Sequence, residues 1–166
     1  MSDAVLVAYA TRHGSTQEVA EAIAETLREK GLEVDLLPAR EVGALDKYRA
    51  VVLGAPLYMF RWHKDARRFL SRHRQALEQR PVAVFALGPF EDKEEDWQGV
   101  REQIDKEMTK FPWFTPLAVQ VIGGKFDPNT LTFPYTLIPA LKQMPVSDLR
   151  DWEAIRAWAS DLAAKI

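Results

Sequence analysis

The sequence contains no cysteine. Disulfides, thiolate nucleophiles and thiolate-bound metals are therefore excluded by composition alone. Long apolar runs are missing too: none approaches the ~20 residues that cross a bilayer as a helix. The opening, "MSDAVLVAYA", has no basic flank before its short apolar run, so it reads as a first strand and not a signal peptide. Charge of one sign is also lacking. A formal net charge of −2 over 166 residues gives no footprint for nucleic acid, and no metal site is expected. What is present is ordinary for a soluble globular protein: 47% apolar and 28% charged residues. The length suits one domain spanning 1–166, and the expected location is the cytoplasm.

Along the chain, strand and helix patterns alternate. "AVLVAYA" (4–10) is apolar throughout, as a strand covered on both faces would be. Val19, Ile23 and Leu27 form a helical face, and Gly31 is placed to end that helix. "LEVDLL" (32–37), "AVVLGA" (50–55), "VAVFAL" (82–87) and "LAVQVI" (117–122) read as further strands. Between them, Ala66, Phe69, Leu70, His73 and Leu77 mark a second helix. Trp97, Val100, Ile104, Met108 and Phe111 mark a third. Trp152, Ile155, Ala159 and Leu162 mark the closing helix. The Pro- and Gly-rich stretch 123–148 carries no clear periodicity. Five strands alternating with helices predict an α/β fold, a parallel sheet with helices on both faces. Ligands of such sheets sit beyond the carboxyl ends of the strands, where strand order reverses. Three loops qualify: 11–16, 56–64 and 88–92.

The first of these, "TRHGST", joins a buried strand to a helix. Ser15, with Glu18 three residues on, forms a capping box. That accounts for two residues but not for Thr11, Gly14 and Thr16 together. Gly14 permits a backbone that presents successive N–H groups, and the helix N-terminus adds partial positive charge. The hydroxyls of Thr11, Ser15 and Thr16, with Arg12 and His13 nearby, complete a cradle for an anion. No Gly-Lys-Ser/Thr follows, so a metal-bound triphosphate is not indicated. Gly14 is the only glycine of the turn, so a dinucleotide fingerprint is absent as well. A terminal monophosphate remains.

Thr-x-x-Gly-x-Thr directly after an apolar first strand resembles the FMN-phosphate loop of the flavodoxin family. Within that family, "TRHGST", "VVLGAPLYMFRWH" and "VSDLRDWEAIRAWA" look most like the branch that contains menaquinone-dependent protoporphyrinogen oxidases. The resemblance implies a flavodoxin-like three-layer sandwich with a five-stranded parallel sheet in the order 2-1-3-4-5. It implies FMN as the cofactor, held at its phosphate by Thr11, Arg12, His13, Gly14, Ser15 and Thr16. The flavin ring is then framed by Pro56, Leu57, Tyr58, Met59 and Phe60 after the third strand, and by Gly88, Pro89 and Phe90 after the fourth. Apolar and aromatic walls suit a flat tricyclic ring. No protein nucleophile or paired carboxylates are required, because the reactive atoms belong to the cofactor. Trp97 either belongs to the site or anchors the third helix, with the anchor role preferred.

Seven basic residues lie between Arg61 and Arg80, and eight acidic residues lie between Glu91 and Glu107. Most belong to solvated helix faces. Arg61, His63 and Lys64 border the ring loop, and a basic rim there would favour a reduced, anionic flavin and an anionic substrate. Arg61, Trp62 and Lys64 are therefore the candidate substrate residues, with Tyr58, Phe60 and the Trp113–Phe114 pair as an apolar platform. His63 is either a proton donor near the ring or a solvent-facing side chain. The expected function is FMN-dependent oxidation of a protoporphyrinogen-like substrate in haem biosynthesis, with a quinone acceptor implied by the resemblance. Two alternatives stay open: a flavodoxin-type electron-transfer protein docking a redox partner, and an FMN-free structural or regulatory relative. Peripheral membrane contact through "LTFPYTLIPAL" (131–141) is a further expectation, with core packing as its competitor.

Overall fold

The computed structural model describes residues 3–11, 14–58, 61–130, 135–143 and 145–166. The expected alternation is present. β1 (Ala4–Tyr9) leads to α1 (Ser15–Glu29), β2 (Val34–Pro38), β3 (Tyr48–Tyr58) and the two-residue β4 (Arg61–Trp62). Then come α2 (Lys64–Arg72), α3 (Arg74–Leu77), β5 (Val82–Leu87), α4 (Glu94–Met108) and β6 (Ala118–Ile122). The closing part holds β7 (Lys125–Phe126), α5 (Pro139–Lys142), β8 (Ser147–Asp148) and α6 (Trp152–Lys165).

The parallel strands run in the order β2-β1-β3-β5-β6. This is the predicted order once strands are counted along the main path. The difference is β4, which folds back antiparallel on the end of β3 and makes the sheet six-stranded. In the stretch without periodicity, β7 and β8 form a separate antiparallel pair. Two-residue strands are too short to show a repeat, which is why the sequence did not announce them.

β1 is apolar at every position because each face meets a different layer. Leu6 and Ala8 face the α2 and α4 side, packing in one cluster with Ala66, Phe69, Leu70 and Ile104. Val5, Val7 and Tyr9 face the opposite side with Val19, Ile23, Leu27, Ile155 and Leu162 of α1 and α6. Each fully buried Val, Leu or Ile side chain contributes at most about 1.5–3 kcal/mol.

α1 ends as the sequence predicts. Gly31 takes φ +89°, its N–H donates to the Arg28 carbonyl at 2.9 Å, and the Leu32 N–H donates to the Leu27 carbonyl at 3.2 Å. This pair of bonds satisfies carbonyls that the helix end would otherwise leave open. The second predicted helix is broken into α2 and α3 at His73 (φ −106°, ψ 20°). The third ends at Met108, leaving Phe111 in the turn beyond it.

Strand order reverses between β1 and β3, so a crevice opens beyond their carboxyl ends. There the Ala10 N–H donates to the Gly54 carbonyl at 2.9 Å. Gly54 is required at that point: a Cβ would lie 1.8 Å from Cζ of Phe85, its partner across the β3–β5 ladder.

Candidate functional site

The first wall of the crevice is the turn between β1 and α1. Gly14 adopts φ +87° and ψ −10°, a left-handed conformation, and is itself the N-cap of α1. Its N–H donates to Thr11 Oγ1 at 2.8 Å, so Thr11 pins the turn. A Cβ on Gly14 would meet nothing within 4 Å; the turn faces open space. Ser15 and Thr16 are buried, at 8% and 0% exposure. Thr16 Oγ1 is buried with no hydrogen-bond partner among the described residues, an arrangement that costs a folded chain about 1–3 kcal/mol.

The capping box expected from Ser15 and Glu18 does not form. Helix α1 begins at Ser15, which places that residue inside the first turn, and the cap carries no side-chain hydrogen bond. Glu18 instead meets Arg150 Nη1 at 3.3 Å. Arg12 and His13 lie outside the described residues.

The loops after β3 and β5 meet at one cleft. Leu57, at the end of β3, and the run Gly88-Pro89-Phe90, after β5, line one cleft of about 440 Å³. Pro56 is buried in the ladder opposite Leu87, and the Tyr58 backbone pairs with Arg61. Met59 and Phe60 lie outside the described residues. Gly88 sits against α4: a Cβ there would stand 3.3 Å from Val100 Cγ2. The Gly88 N–H donates to the Ile122 carbonyl at 2.9 Å. Phe90 packs on Phe126 with ring centroids 5.2 Å apart.

Four placements correct the sequence reading. Trp62 is not a substrate platform: it is 1% exposed, and its Nε1–H donates to the Ala55 carbonyl at 3.0 Å. β4 turns this ring inward because strand residues alternate faces, leaving Arg61 exposed and Trp62 in the core. The Trp113–Phe114 pair lies at the opposite end of the sheet, just before the start of β6, where the Leu117 N–H donates to the Val82 carbonyl. It cannot share a site with the strand carboxyl ends. His63 is committed to capping α2, its Nδ1 accepting from the Asp65 N–H at 3.0 Å. Finally, the rim is not uniformly basic. Arg61 and Lys64 are exposed, but the charged side chains lining the cleft are Glu91, Glu95 and Asp96. Glu95 and Asp96 stand in the first turn of α4, where the helix dipole favours carboxylates; Glu91 lies in the loop before it.

Trp97 stands in the first half of α4. Its Nε1–H donates to Asp92 Oδ1 at 2.9 Å, tying the loop to α4. Sequence reasoning missed Gly123, Gly124 and Arg150. A Cβ on Gly123 would be 2.1 Å from the Leu149 carbonyl oxygen, and one on Gly124 would be 2.9 Å from the Phe90 ring. The signal available was the glycine doublet directly after the fifth predicted strand. Arg150 holds the Asp148 carboxylate below the usual range through their side-chain hydrogen bonds.

The Flavodoxin domain family matches residues 6–141. The chain belongs to that family. This flavodoxin-family chain is 23% identical over 169 aligned residues to the protoporphyrinogen IX dehydrogenase [quinone] of Escherichia coli K12, an alignment covering 95% of this chain and 93% of the relative. Among solved structures it resembles an archaeal flavodoxin (TM-score 0.60, 16% identity, 98% and 97% of the two chains). It also resembles flavodoxin 1 of Bacillus cereus (TM-score 0.62, 15% identity, 99% of each).

Membership makes FMN the cofactor and the chain a flavodoxin-like flavoprotein. The residues present fit that group. An orphaned buried hydroxyl on Thr16, a left-handed Gly14 facing open space and a helix N-terminus suit a phosphate. No helix among the described residues is long and apolar enough to cross a membrane.

Proposed function

We propose that this flavoprotein is an oxidoreductase that takes electrons from an amphiphilic, carboxylate-bearing small molecule of the protoporphyrinogen type, in haem biosynthesis, and delivers them to a quinone or another redox partner. In this reading Thr11, Gly14, Ser15 and Thr16 hold the FMN phosphate. Pro56, Leu57, Gly88, Pro89 and Phe90 frame the ring and keep water from it. Bound FMN supplies the acceptor for a hydride or electron pair.

The observation that carries the reading is the division of charge between the β4 hairpin, which pairs with Leu57 and Tyr58, and the α4 wall of the cleft. Arg61 and Lys64 are exposed on the β4 side, whereas Glu91, Glu95 and Asp96 line the α4 side. A substrate that is apolar over most of its surface and carries its carboxylates along one edge has one favourable orientation. Its acidic edge points to the β4 hairpin and away from α4, because like charges repel. The full-length similarity to the E. coli dehydrogenase supports the same substrate class.

Anaerobic mixing of the FMN-loaded protein with protoporphyrinogen, followed by porphyrin fluorescence with and without a quinone, tests the reaction. Turnover is the expected result, and its absence refutes the substrate assignment. Arg61→Glu should raise KM about three- to tenfold with kcat preserved, the scale of an exposed charge pair reversed. An unchanged KM removes Arg61 from substrate binding.

The carboxylates of the α4 flank favour a second reading, a flavodoxin-type carrier that docks a basic redox protein there. Reduction and reoxidation only by protein partners, with no turnover of small donors, would establish that reading instead.

A further inference from the structure

Arg150 has no assigned part in the site, yet it is the most heavily engaged side chain near the first turn of α1. Its side chain is only 4% exposed. Nε and Nη2 donate to Asp148 Oδ1 and Oδ2, each at 2.9 Å, in a two-pronged pair. Nη1 donates to Glu18 Oε1 at 3.3 Å and to the backbone carbonyl of Ser15 at 3.2 Å. The guanidinium also lies over the Trp152 ring, 4.8 Å from its centroid. Most of its N–H donors are therefore occupied, and none of these bonds is one that a phosphate could use.

The two Nη1 bonds reach across 135 and 132 positions of sequence to the turn that carries Ser15 and Thr16. The first fixes the Ser15 carbonyl and with it the orientation of that peptide. The second compensates Glu18, whose carboxylate stands in the first turn of α1 and would otherwise oppose an anion at the helix N-terminus. We propose that Arg150 is a positioning residue for the FMN phosphate: it locks the first turn of α1 and neutralises Glu18 without touching the ligand. The proposal rests on the reading that this turn holds the phosphate. A lysine cannot replace it, because one ammonium cannot span Asp148 in two prongs and still reach Glu18 and Ser15.

The test compares FMN with riboflavin, which lacks the phosphate, by quenching of flavin fluorescence on the full chain. Wild type should bind FMN far more tightly than riboflavin. In Arg150→Lys and Arg150→Gln the FMN Kd should rise about tenfold while the riboflavin Kd stays put, the scale of a partly buried charge lost near a helix N-terminus. Adding Glu18→Gln to Arg150→Gln should recover part of that loss. Glu18→Gln alone, an exposed substitution that preserves the fold, should tighten FMN two- to threefold with riboflavin unaffected. Equal weakening of both ligands in the Arg150 variants, or no gain from Glu18→Gln, overturns the proposal. Equal affinities of wild type for the two ligands would instead overturn the phosphate reading beneath it.

Discussion

Thr16→Val should make the ligand-free protein more stable and the FMN complex much weaker. The two effects have opposite signs because they arise from one atom. Thr16 Oγ1 is buried without a partner among the described residues, and an unsatisfied buried hydroxyl costs about 1–3 kcal/mol. Valine keeps the branched shape and removes the polar group. Some of that cost is returned, and about 1 kcal/mol corresponds to roughly 2–4 °C in Tm for a chain of this size. A hydrogen bond to a charged group contributes about 1.5–3 kcal/mol, so loss of the bond to a phosphate should raise the FMN Kd about 10- to 100-fold. Thermal melts without ligand and fluorescence titration with FMN read the two effects separately. An FMN affinity unaltered by Thr16→Val would refute the assignment of this hydroxyl to the phosphate, whatever happens to stability.

Gly54→Ala is expected to be strongly destabilising. The added carbon would fall 1.8 Å from Cζ of Phe85, and 2.1 Å and 2.2 Å from the two Cε atoms. The ring itself is fully buried. Neither partner can yield cheaply. Gly54 is held in the ladder between β1 and β5, paired with Tyr9 and Phe85, and its carbonyl accepts from the Ala10 N–H. Overpacking of this severity costs about 3 kcal/mol or more, a drop of roughly 6–12 °C in Tm. Because the same residue joins the ends of β1 and β3, FMN retention should fall with it. The double variant with Phe85→Leu should recover much of the loss, since a shorter side chain vacates the position of the new methyl. Equal melting temperatures for Gly54→Ala and wild type would show that the ring does not lie over Gly54.

The legibility of the site divided along physical lines. The turn 11–16 could be read because its demands are local: a buried strand ends, a helix begins, and the residues between must supply donors and one left-handed position. The alternation of strand and helix was legible because βα units and the double-sided burial of β1 both leave continuous marks in sequence, whereas the strand order followed from the family resemblance. Trp62 was misread because an aromatic beside a loop looks the same whether it faces solvent or core. Only the fold-back of β4 on β3 turns it inward. The capping box failed by a single residue of helix start, a margin no local pattern controls. The acidic cleft wall was visible as a run of charge, but the face it presents depends on how α4 lies against Gly88 and Val100.

The sequence by itself therefore determined the layered architecture and the glycine-bearing turn between β1 and α1, because periodicity and turn chemistry act over a few neighbouring residues. Tertiary structure alone decided which charges line the cleft, which tryptophan is core and how Arg150 reaches Ser15, because each depends on contacts between segments distant along the chain.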